Sequence, residues 1–340
     1  NTPMPALVER DVVAKVQDLS NQFDNAKSFA FPFMSRVPKG SAPKQAKLTY
    51  AVEKYDAADT SGAIDEAEPS NFENPSAGDA ELDVRIQIWE KAVSIGGLAT
   101  TTTHQAGITP RNVVAKKIAK KLIELKRNCE VTLLSDNESQ LETGNVGNKT
   151  RGLVKWASAT AQSHYPVSAS YLTPAASIDS STAIADYTDA TITAVMESQF
   201  GETGNESEEN VLFCGSTFKR NMDRLTFSTR DVSSRTMVRR FNTAPSSTVN
   251  LGAVKVLETG FGDIELALSQ HINASGDPTT AASKRLAVGG PIDNMELRWS
   301  DAPNMIPLGK TSRSTRFIVT ATGALCVMNP LKLIKFAPGS

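Results

Sequence analysis

Residues 109–135 carry the sequence TPRNVVAKKIAKKLIELKRNCEVTLLS, the only long and strongly periodic helix signal of the chain. Thr109 can cap this helix, and Pro110 suits its first position because the missing N–H group would have no partner there. Apolar residues at spacings of three and four form one stripe: Val114, Ile118, Leu122, Leu125, Cys129 and Leu133. At 1.5 Å per residue the stretch predicts a helix about 40 Å long, across which other parts of the chain can pack.

The face of this helix opposite the stripe is almost wholly basic. Its cations are Arg111, Lys116, Lys117, Lys120, Lys121, Lys126 and Arg127, and Glu124 is the single acid of that face. A surface of this kind can bind acidic side chains or phosphate groups.

Two segments before the helix alternate apolar and polar residues, as half-buried strands do: KLTYAVEKY (47–55) and ELDVRIQIWE (81–90). The residues between them have no apolar period, and from Glu53 to Asp83 the chain is rich in acids, with Lys54 as its only base. The acids of the loop include Asp56, Asp59, Asp65, Glu66, Glu68, Glu73 and Asp79. We interpret the region as an extended hairpin with an acidic tip, whereas the alternative is a solvated, disordered loop.

Residues 1–45 contain a short amphipathic patch, followed by the aromatic residues Phe29, Phe31 and Phe33. A patch of this size is too small to fold alone, because short isolated helices are marginal in water. We therefore expect an N-terminal arm that lies on another part of the structure.

A second unit begins near Gly152. Residues 188–200 predict a capped helix that ends at Gly201, VLFC (211–214) predicts a buried strand, and Phe218, Met222 and Leu225 mark the next helix. A hairpin follows at 253–268, and strand-like segments between 285 and 336 are expected to pack back on the long helix. The order of elements predicts an α/β or α+β unit.

Arginines crowd the region from 219 to 240. They are Arg220, Arg224, Arg230, Arg235, Arg239 and Arg240, with Asp223 and Asp231 as opposing acids. This region could be a basic loop that binds phosphates or acidic side chains, or simply a solvated charged loop.

Composition argues against several classes of function. The formal net charge of −1 over 340 residues opposes wholesale attraction to nucleic acid or membrane. The three cysteines are far apart among apolar neighbours, which indicates reduced, buried thiols. The three histidines are isolated, and no nucleophile elbow, zinc-protease signature or dinucleotide fingerprint is present. The sequence therefore predicts no enzyme activity, no catalytic residue, no cofactor and no metal.

Several phrases of the chain resemble a subfamily of the major capsid proteins of tailed bacteriophages, once catalogued as a domain of unknown function. They are FPFMSRVPKGSA (31–42), AVSIGGLA (92–99), AKKLIELKRNCEVTLL (119–134), RGLVKW (151–156), VLETGFGDIELAL (256–268) and PLGKTSRSTRFIVTATGALCVMNP (307–330). The order of arm, acidic hairpin, long helix, inserted unit and strand return is similar to the HK-ninety-seven-like capsid fold. The resemblance implies this α+β fold for nearly the whole chain.

The resemblance also implies a division of the chain: an N-terminal arm (1–45), an extended loop (46–95), a peripheral domain (96–154 and 286–340) with its spine helix at 109–135, and an α/β axial domain (155–285). Members of the family form hexamers and pentamers in an icosahedral shell around double-stranded DNA. Expected partners are further copies of the chain, packaged DNA at the inner surface, and portal, scaffold or decoration proteins, without a membrane. The protein would reside in the virion head after assembly in the host cytoplasm.

The charge distribution suggests how such a shell could form. An acidic loop and the basic surfaces at 111–127 and 219–240 are complementary, which suits a head-to-tail contact between copies. Two alternatives stay open at this stage: an encapsulin-like compartment shell, and a nucleic-acid-binding protein that uses the same basic surfaces.

Overall fold

The computed structural model describes residues 30–55, 79–96, 110–161, 167–204, 209–225, 255–309 and 314–339. The helices are α1 (Pro32–Arg36), α2 (Pro110–Leu133), α3 (Leu153–Trp156), α4 (Asp189–Thr203), α5 (Ser216–Leu225) and α6 (Ala281–Arg285). The strands are β1 (Lys47–Val52), β2 (Ala80–Arg85), β3 (Gln87–Ile95), β4 (Ile178–Asp179), β5 (Glu209–Cys214), β6 (Val256–Thr259), β7 (Gly262–Leu268), β8 (Ala287–Pro291), β9 (Met295–Pro307), β10 (Thr315–Val327) and β11 (Ile334–Phe336). These elements form the mixed α+β fold that the sequence predicts.

Three sheets organise the described strands. The first is the antiparallel pair β1–β2, the second has the order β3–β10–β9, and the third has the order β4–β11–β8–β5–β7–β6. The predicted hairpin at 253–268 is confirmed by the antiparallel pairing of β6 with β7, although residues 253 and 254 lie outside the described residues. The predicted pair at 47–55 and 81–90 is confirmed in part, because β1 pairs with β2 from Lys47 opposite Arg85 to Val52 opposite Ala80.

The segment 81–90 forms parts of two strands rather than one. The ladder breaks at Ile86, whose N–H donates to the carbonyl of Ala46, and β3 then pairs with β10 in a different sheet. The break moves the alternation by one residue. Ile88, expected to face inward, is therefore 67% exposed, whereas Trp89 is 6% exposed.

The long helix α2 begins and ends within two residues of the predicted limits, although Thr109 lies outside the described residues. Leu125, Cys129 and Leu133 of its stripe are buried. Val114, Ile118 and Leu122 are only half-buried, so the stripe packs most tightly in its second half. The helix contacts β3, β9 and β10, which confirms that the C-terminal strands return to it.

The six-stranded sheet packs against α4 and α5 through a core that contains Met196, Phe218 and Phe336. Thr188 caps α4 by accepting from the N–H of Thr191, as predicted. The helix ends at Gly204, not at Gly201, because Gly204 adopts a left-handed φ of 62° that favours glycine.

Sheet membership crosses the predicted division between axial and peripheral domains at residue 286. Strands β8 and β11 belong to the six-stranded sheet, together with β5 and β7 from the predicted axial segment. Gly289 permits the close approach of β5, because a Cβ atom there would collide with the carbonyl oxygen of Val211. The proposed division of the chain into domains stays a prediction.

Candidate assembly surfaces and the arm-docking site

The hairpin β1–β2 supports the acidic loop at its base. Leu48, Val52, Leu82 and Val84 anchor the hairpin in the main core. On the other face, Asp83 accepts from the hydroxyl of Thr49 at 2.6 Å and pairs with Lys47 at 2.8 Å. The pairing holds the two ends of the loop side by side.

Most of the predicted acidic tip lies outside the described residues: Asp56, Asp59, Asp65, Glu66, Glu68 and Glu73. Asp79 is described and exposed. At the other end of the loop, the Nζ atom of Lys54 lies 3.0 Å from a carboxylate oxygen of Glu202 at the end of α4. The next residue, Tyr55, is 99% exposed. An exposed residue therefore follows a tethered one at the last described position before the loop.

The predicted basic surface on α2 is partly neutralised. Lys117 and Lys120 are exposed, but Lys121 donates to Glu124 at 2.7 Å, and Lys91 lies 3.7 Å from the same carboxylate. The hydrogen bond from Lys121 lowers the pKa of Glu124 below its ordinary value. The side chain of Lys116 lies outside the described residues.

The second predicted basic surface is described at one position. Arg220 is exposed on α5, whereas the side chain of Arg224 and residues Arg230, Arg235, Arg239 and Arg240 lie outside the described residues. No described contact joins Arg220 to the lysines of α2, so the two basic surfaces are carried by separate elements.

A site that the sequence analysis missed lies where the N-terminal arm meets α2. Glu130 is fully buried, and its two carboxylate oxygens accept from the backbone N–H groups of Phe33 at 2.7 Å and Met34 at 2.9 Å. These N–H groups belong to the first turn of α1, where they have no partner within the helix. One side chain of the long helix therefore caps the arm helix.

Burial shifts the protonation of this carboxyl group. Removal from water raises the pKa of Glu130 to about 7, although the two N–H donors act in the opposite direction. The sequence holds one signal for this site. Glu130 lies three residues before Leu133, and this spacing places its carboxylate on the buried side of the amphipathic helix.

The rest of the arm is held by contacts with the six-stranded and three-stranded sheets. The buried ring of Phe33 meets Phe213 of β5 edge-on, with 5.0 Å between centroids. Arg36 pairs with Glu265 of β7 at 2.7 Å. Beyond α1, Leu297 of β9 donates to Pro38 and accepts from Gly40. The expectation that the arm lies on another part of the structure is confirmed for residues 30–40.

His271 holds the beginning of the described arm. Its Nε2 atom lies 3.1 Å from the carbonyl oxygen of Ala30, which is a hydrogen bond when this nitrogen carries the proton. The imidazole ring also stacks on Phe31, with 6.0 Å between centroids. Burial lowers the pKa of His271 below its ordinary value.

Comparison with known protein families decides the identity of the chain. A family model described as SU10 major capsid protein matches residues 7–337. The chain belongs to this family of phage capsid proteins. It therefore forms the shell of a phage head, and the encapsulin-like alternative is not favoured.

Solved capsid structures share the fold of this capsid protein. The capsid of an empty GTA particle aligns at a TM-score of 0.62 and 10% identity, covering 98% of both chains. The capsid of Cyanophage A-1(L) aligns at 0.61 and 12% identity, covering 95% of this chain and 97% of that one. The capsid of Myoviridae Phage XM1 aligns at a TM-score of 0.58 and 9% identity, covering 98% of this chain and 99% of that one. A comparison with curated protein sequences found no match.

Among the described residues, no three His, Cys, Asp or Glu side chains could hold a metal ion together, and no helix is long and apolar enough to cross a membrane. Cys129, Cys214 and Cys326 are free and buried, and burial raises the pKa of each thiol to about 12. The predicted burial of the three thiols is confirmed.

Proposed function

We propose that this capsid protein builds an icosahedral phage head from hexamers and pentamers around double-stranded DNA, and that it acts as a structural subunit rather than an enzyme. The family match over residues 7–337 carries the proposal. The virion head is its final location after assembly in the host cytoplasm, and portal, scaffold or decoration proteins are its further partners.

The contact between neighbouring copies joins the acidic loop of one subunit to a basic surface of the next. The exposed Tyr55 supports this arrangement, because the last described residue before the loop is open to solvent. Lys117, Lys120 and Arg220 are exposed and can receive carboxylates. A single exposed ion pair contributes only about 0–1 kcal/mol, so the strength of the contact comes from its repetition around closed rings.

Charge reversal in the loop tests this contact. Replacement of Glu66, Glu68 and Glu73 by Lys is expected to block shell formation, as seen by negative-stain microscopy and sedimentation, while circular dichroism and thermal unfolding of the subunit stay unchanged. A matched control reverses the three exposed acids Glu142, Glu197 and Glu258, which changes the net charge equally. Intact shells from the loop variant, or equal loss in the control, would contradict the proposed contact.

A rescue experiment identifies the receiving surface. The loop variant is combined with one of two sets of substitutions. In the first, Lys116, Lys117 and Lys120 of α2 are all replaced by Glu; in the second, Arg220 and Arg224 of α5 are both replaced by Glu. Restored shells in one combination would assign the loop to that surface, because only complementary reversal recreates the attraction. If neither combination assembles, the loop is not paired with these cations.

Inner-surface binding of DNA is the second use of the basic surfaces. Phosphate binding by Lys and Arg falls steeply with salt, so a salt titration of DNA binding by the purified subunit measures it directly. Binding that persists in the loop variant and disappears in the Lys116, Lys117 and Lys120→Glu variant would assign α2 to DNA rather than to the neighbouring subunit.

A further inference from the structure

The strand β9 is the outermost strand on its side of the three-stranded sheet, as far as the described residues extend, and it is unusually long. It has 13 residues, whereas strands of globular proteins usually have about five or six. Met305 and Ile306 near its end are 41% and 45% exposed. The edge of β9 that faces away from β10, here called the outer edge, carries backbone N–H and C=O groups. A long and apolar edge of this kind can pair with a strand of another molecule.

The N-terminal arm occupies the first part of the outer edge. Leu297 donates its N–H to the carbonyl of Pro38 at 2.9 Å and accepts from the N–H of Gly40 at 3.0 Å. Lys39, between them, forms a parallel bridge with Leu297. Gly40 permits this approach, because a Cβ atom there would collide with the carboxylate of Glu296. Both outward backbone groups of Leu297 are therefore bonded within the subunit.

The middle of β9 pairs with β10 in an irregular register. The register shifts between Thr320 and Thr322 of β10, and it shifts again between Thr322 and Gly323. Such bulges twist a strand and interrupt the regular row of outward groups that a partner strand requires. This part of the outer edge is therefore a poor template for a second strand.

The last part of β9 contains two prolines, Pro303 and Pro307. The N–H of Leu308 donates to the carbonyl of Arg316 on β10 at 3.0 Å, and residues 304 to 307 pair with β10 in unbroken register. Because backbone groups alternate between the two edges of a strand, positions 303, 305 and 307 face away from β10. Proline has no N–H group, so Met305 is the only one of these three positions with an outward donor.

We propose that the arm at 38–40, the irregular register and the two prolines keep the outer edge of β9 from pairing with the same edge of a second copy. Two identical strands can pair in antiparallel orientation about a two-fold axis, so this edge is complementary to itself. A shell subunit is made in many copies, and another copy is therefore the strand partner that it meets most often. The protection goes beyond the proposed contact of the acidic loop and does not depend on it.

Restoring the missing donors tests this protection. In the full-length chain, Pro303→Val with Pro307→Val adds two outward N–H groups to the edge. The matched control, Asn304→Val with Leu308→Val, places the same strand-favouring residue at neighbouring exposed positions whose N–H groups face β10. Sedimentation equilibrium of the unassembled subunits measures self-association. Circular dichroism and thermal unfolding show whether each variant is folded.

The proline variant is expected to form dimers with an association constant raised by roughly tenfold or more, because both copies contribute new backbone hydrogen bonds. The control variant should associate no more than the natural protein. Amide exchange at positions 303, 305 and 307 of the proline variant should slow as its concentration rises. A proline variant that associates no more than the control would overturn the proposal, and so would association without slower exchange at these positions.

A variant of the arm tests the other end of the edge and leaves β9 itself unchanged. Gly40→Pro removes the N–H group that bonds to the carbonyl of Leu297. Self-association is expected to rise by a smaller factor than in the proline variant, because the groups of only one residue are uncovered. Unchanged self-association would overturn the protective role of the arm. Both measurements use the unassembled subunit, so a failure of the proposed shell contact would leave their outcome unaffected.

Discussion

The arm-docking site and the acidic loop attach parts of the chain by opposite physical means. The arm is held by buried groups with defined partners, among them a carboxylate with two N–H donors and an aromatic pair. The base of the loop is tethered by an exposed pair, Lys54 with Glu202, next to the fully exposed Tyr55. Buried contacts fix one geometry within a subunit, whereas exposed charges are weak singly and suit a contact that is repeated many times.

The largest difference between the two regions is expected for the aromatic anchor of the arm. Phe33→Ala should lower the free energy of unfolding by about 3–5 kcal/mol, because it removes a fully buried ring that meets Phe213. Denaturant unfolding of the subunit measures the change. Tyr55→Ala at the start of the loop is the control, and a comparable loss there would show that the contrast between the regions is wrong.

The next largest effect is expected at the carboxylate that caps the arm helix. Glu130→Ala should cost about 2–4 kcal/mol, because two N–H groups of the first turn of α1 lose their acceptors. Glu124→Ala on the same helix removes a partly exposed carboxylate and should cost under about 1 kcal/mol. Equal losses in the two variants would mean that the cap contributes no more than a surface ion pair.

The pH dependence of stability sharpens the same contrast. Burial raises the pKa of Glu130 from its ordinary value of 4.5 to about 7 in the folded subunit. At a pH between these two values, the folded protein therefore keeps a proton that the unfolded chain has released. This contribution to stability is fully present below the lower value and is lost as the pH rises through the higher one. The stability of the natural protein relative to Glu130→Gln should therefore fall between pH 5 and pH 8, by up to roughly 3 kcal/mol.

Urea unfolding of both proteins across this pH range provides the measurement. His271 also changes protonation, with a pKa below its ordinary value, but it is present in both proteins and its contribution cancels in the difference. Parallel pH profiles for the two proteins would exclude Glu130 as the titrating group.

The smallest effect is expected at the base of the loop. Lys54→Ala should change the free energy of unfolding by less than about 1 kcal/mol, because the pair with Glu202 is partly exposed to solvent. The same substitution should lower the yield of shells if tethering of the loop base helps to orient the loop. A large loss of subunit stability would show that this pair contributes as much as the buried contacts of the arm.

Periodicity predicted the elements whose own residues define them. The spacing of Leu125, Cys129 and Leu133 predicted the long helix, and the alternation of Val256 with Ile264 and Leu266 across two glycines predicted a hairpin. The cap of α4 was predictable for the same reason, because Thr188 accepts from the N–H of Thr191 only three residues away. In each case the residues that specify the element lie within it, so one sequence is enough.

The features that the sequence did not reveal depend on distant partners. Glu130 binds backbone groups 96 and 97 positions away, and any residue could have supplied those N–H groups. The break at Ile86 arises because β2 and β3 pair with strands of different sheets, which alternation alone cannot distinguish. For the same reason, the sequence did not reveal that β8 and β11 share a sheet with β5 and β7. The proposed contact residues of the acidic loop and the arginine region stay predictions.

The hydroxyl of Tyr50 on β1 donates to the carbonyl of Val327 at 2.7 Å, across 277 positions of the chain. Ala30 likewise depends on His271, 241 positions later. During synthesis the N-terminal segments leave the ribosome long before these partners exist, and distant contacts form late because closing the intervening chain costs entropy. Translation must therefore reach the last strands before the hairpin and the arm can settle, and a prematurely terminated chain cannot place them for incorporation into a shell.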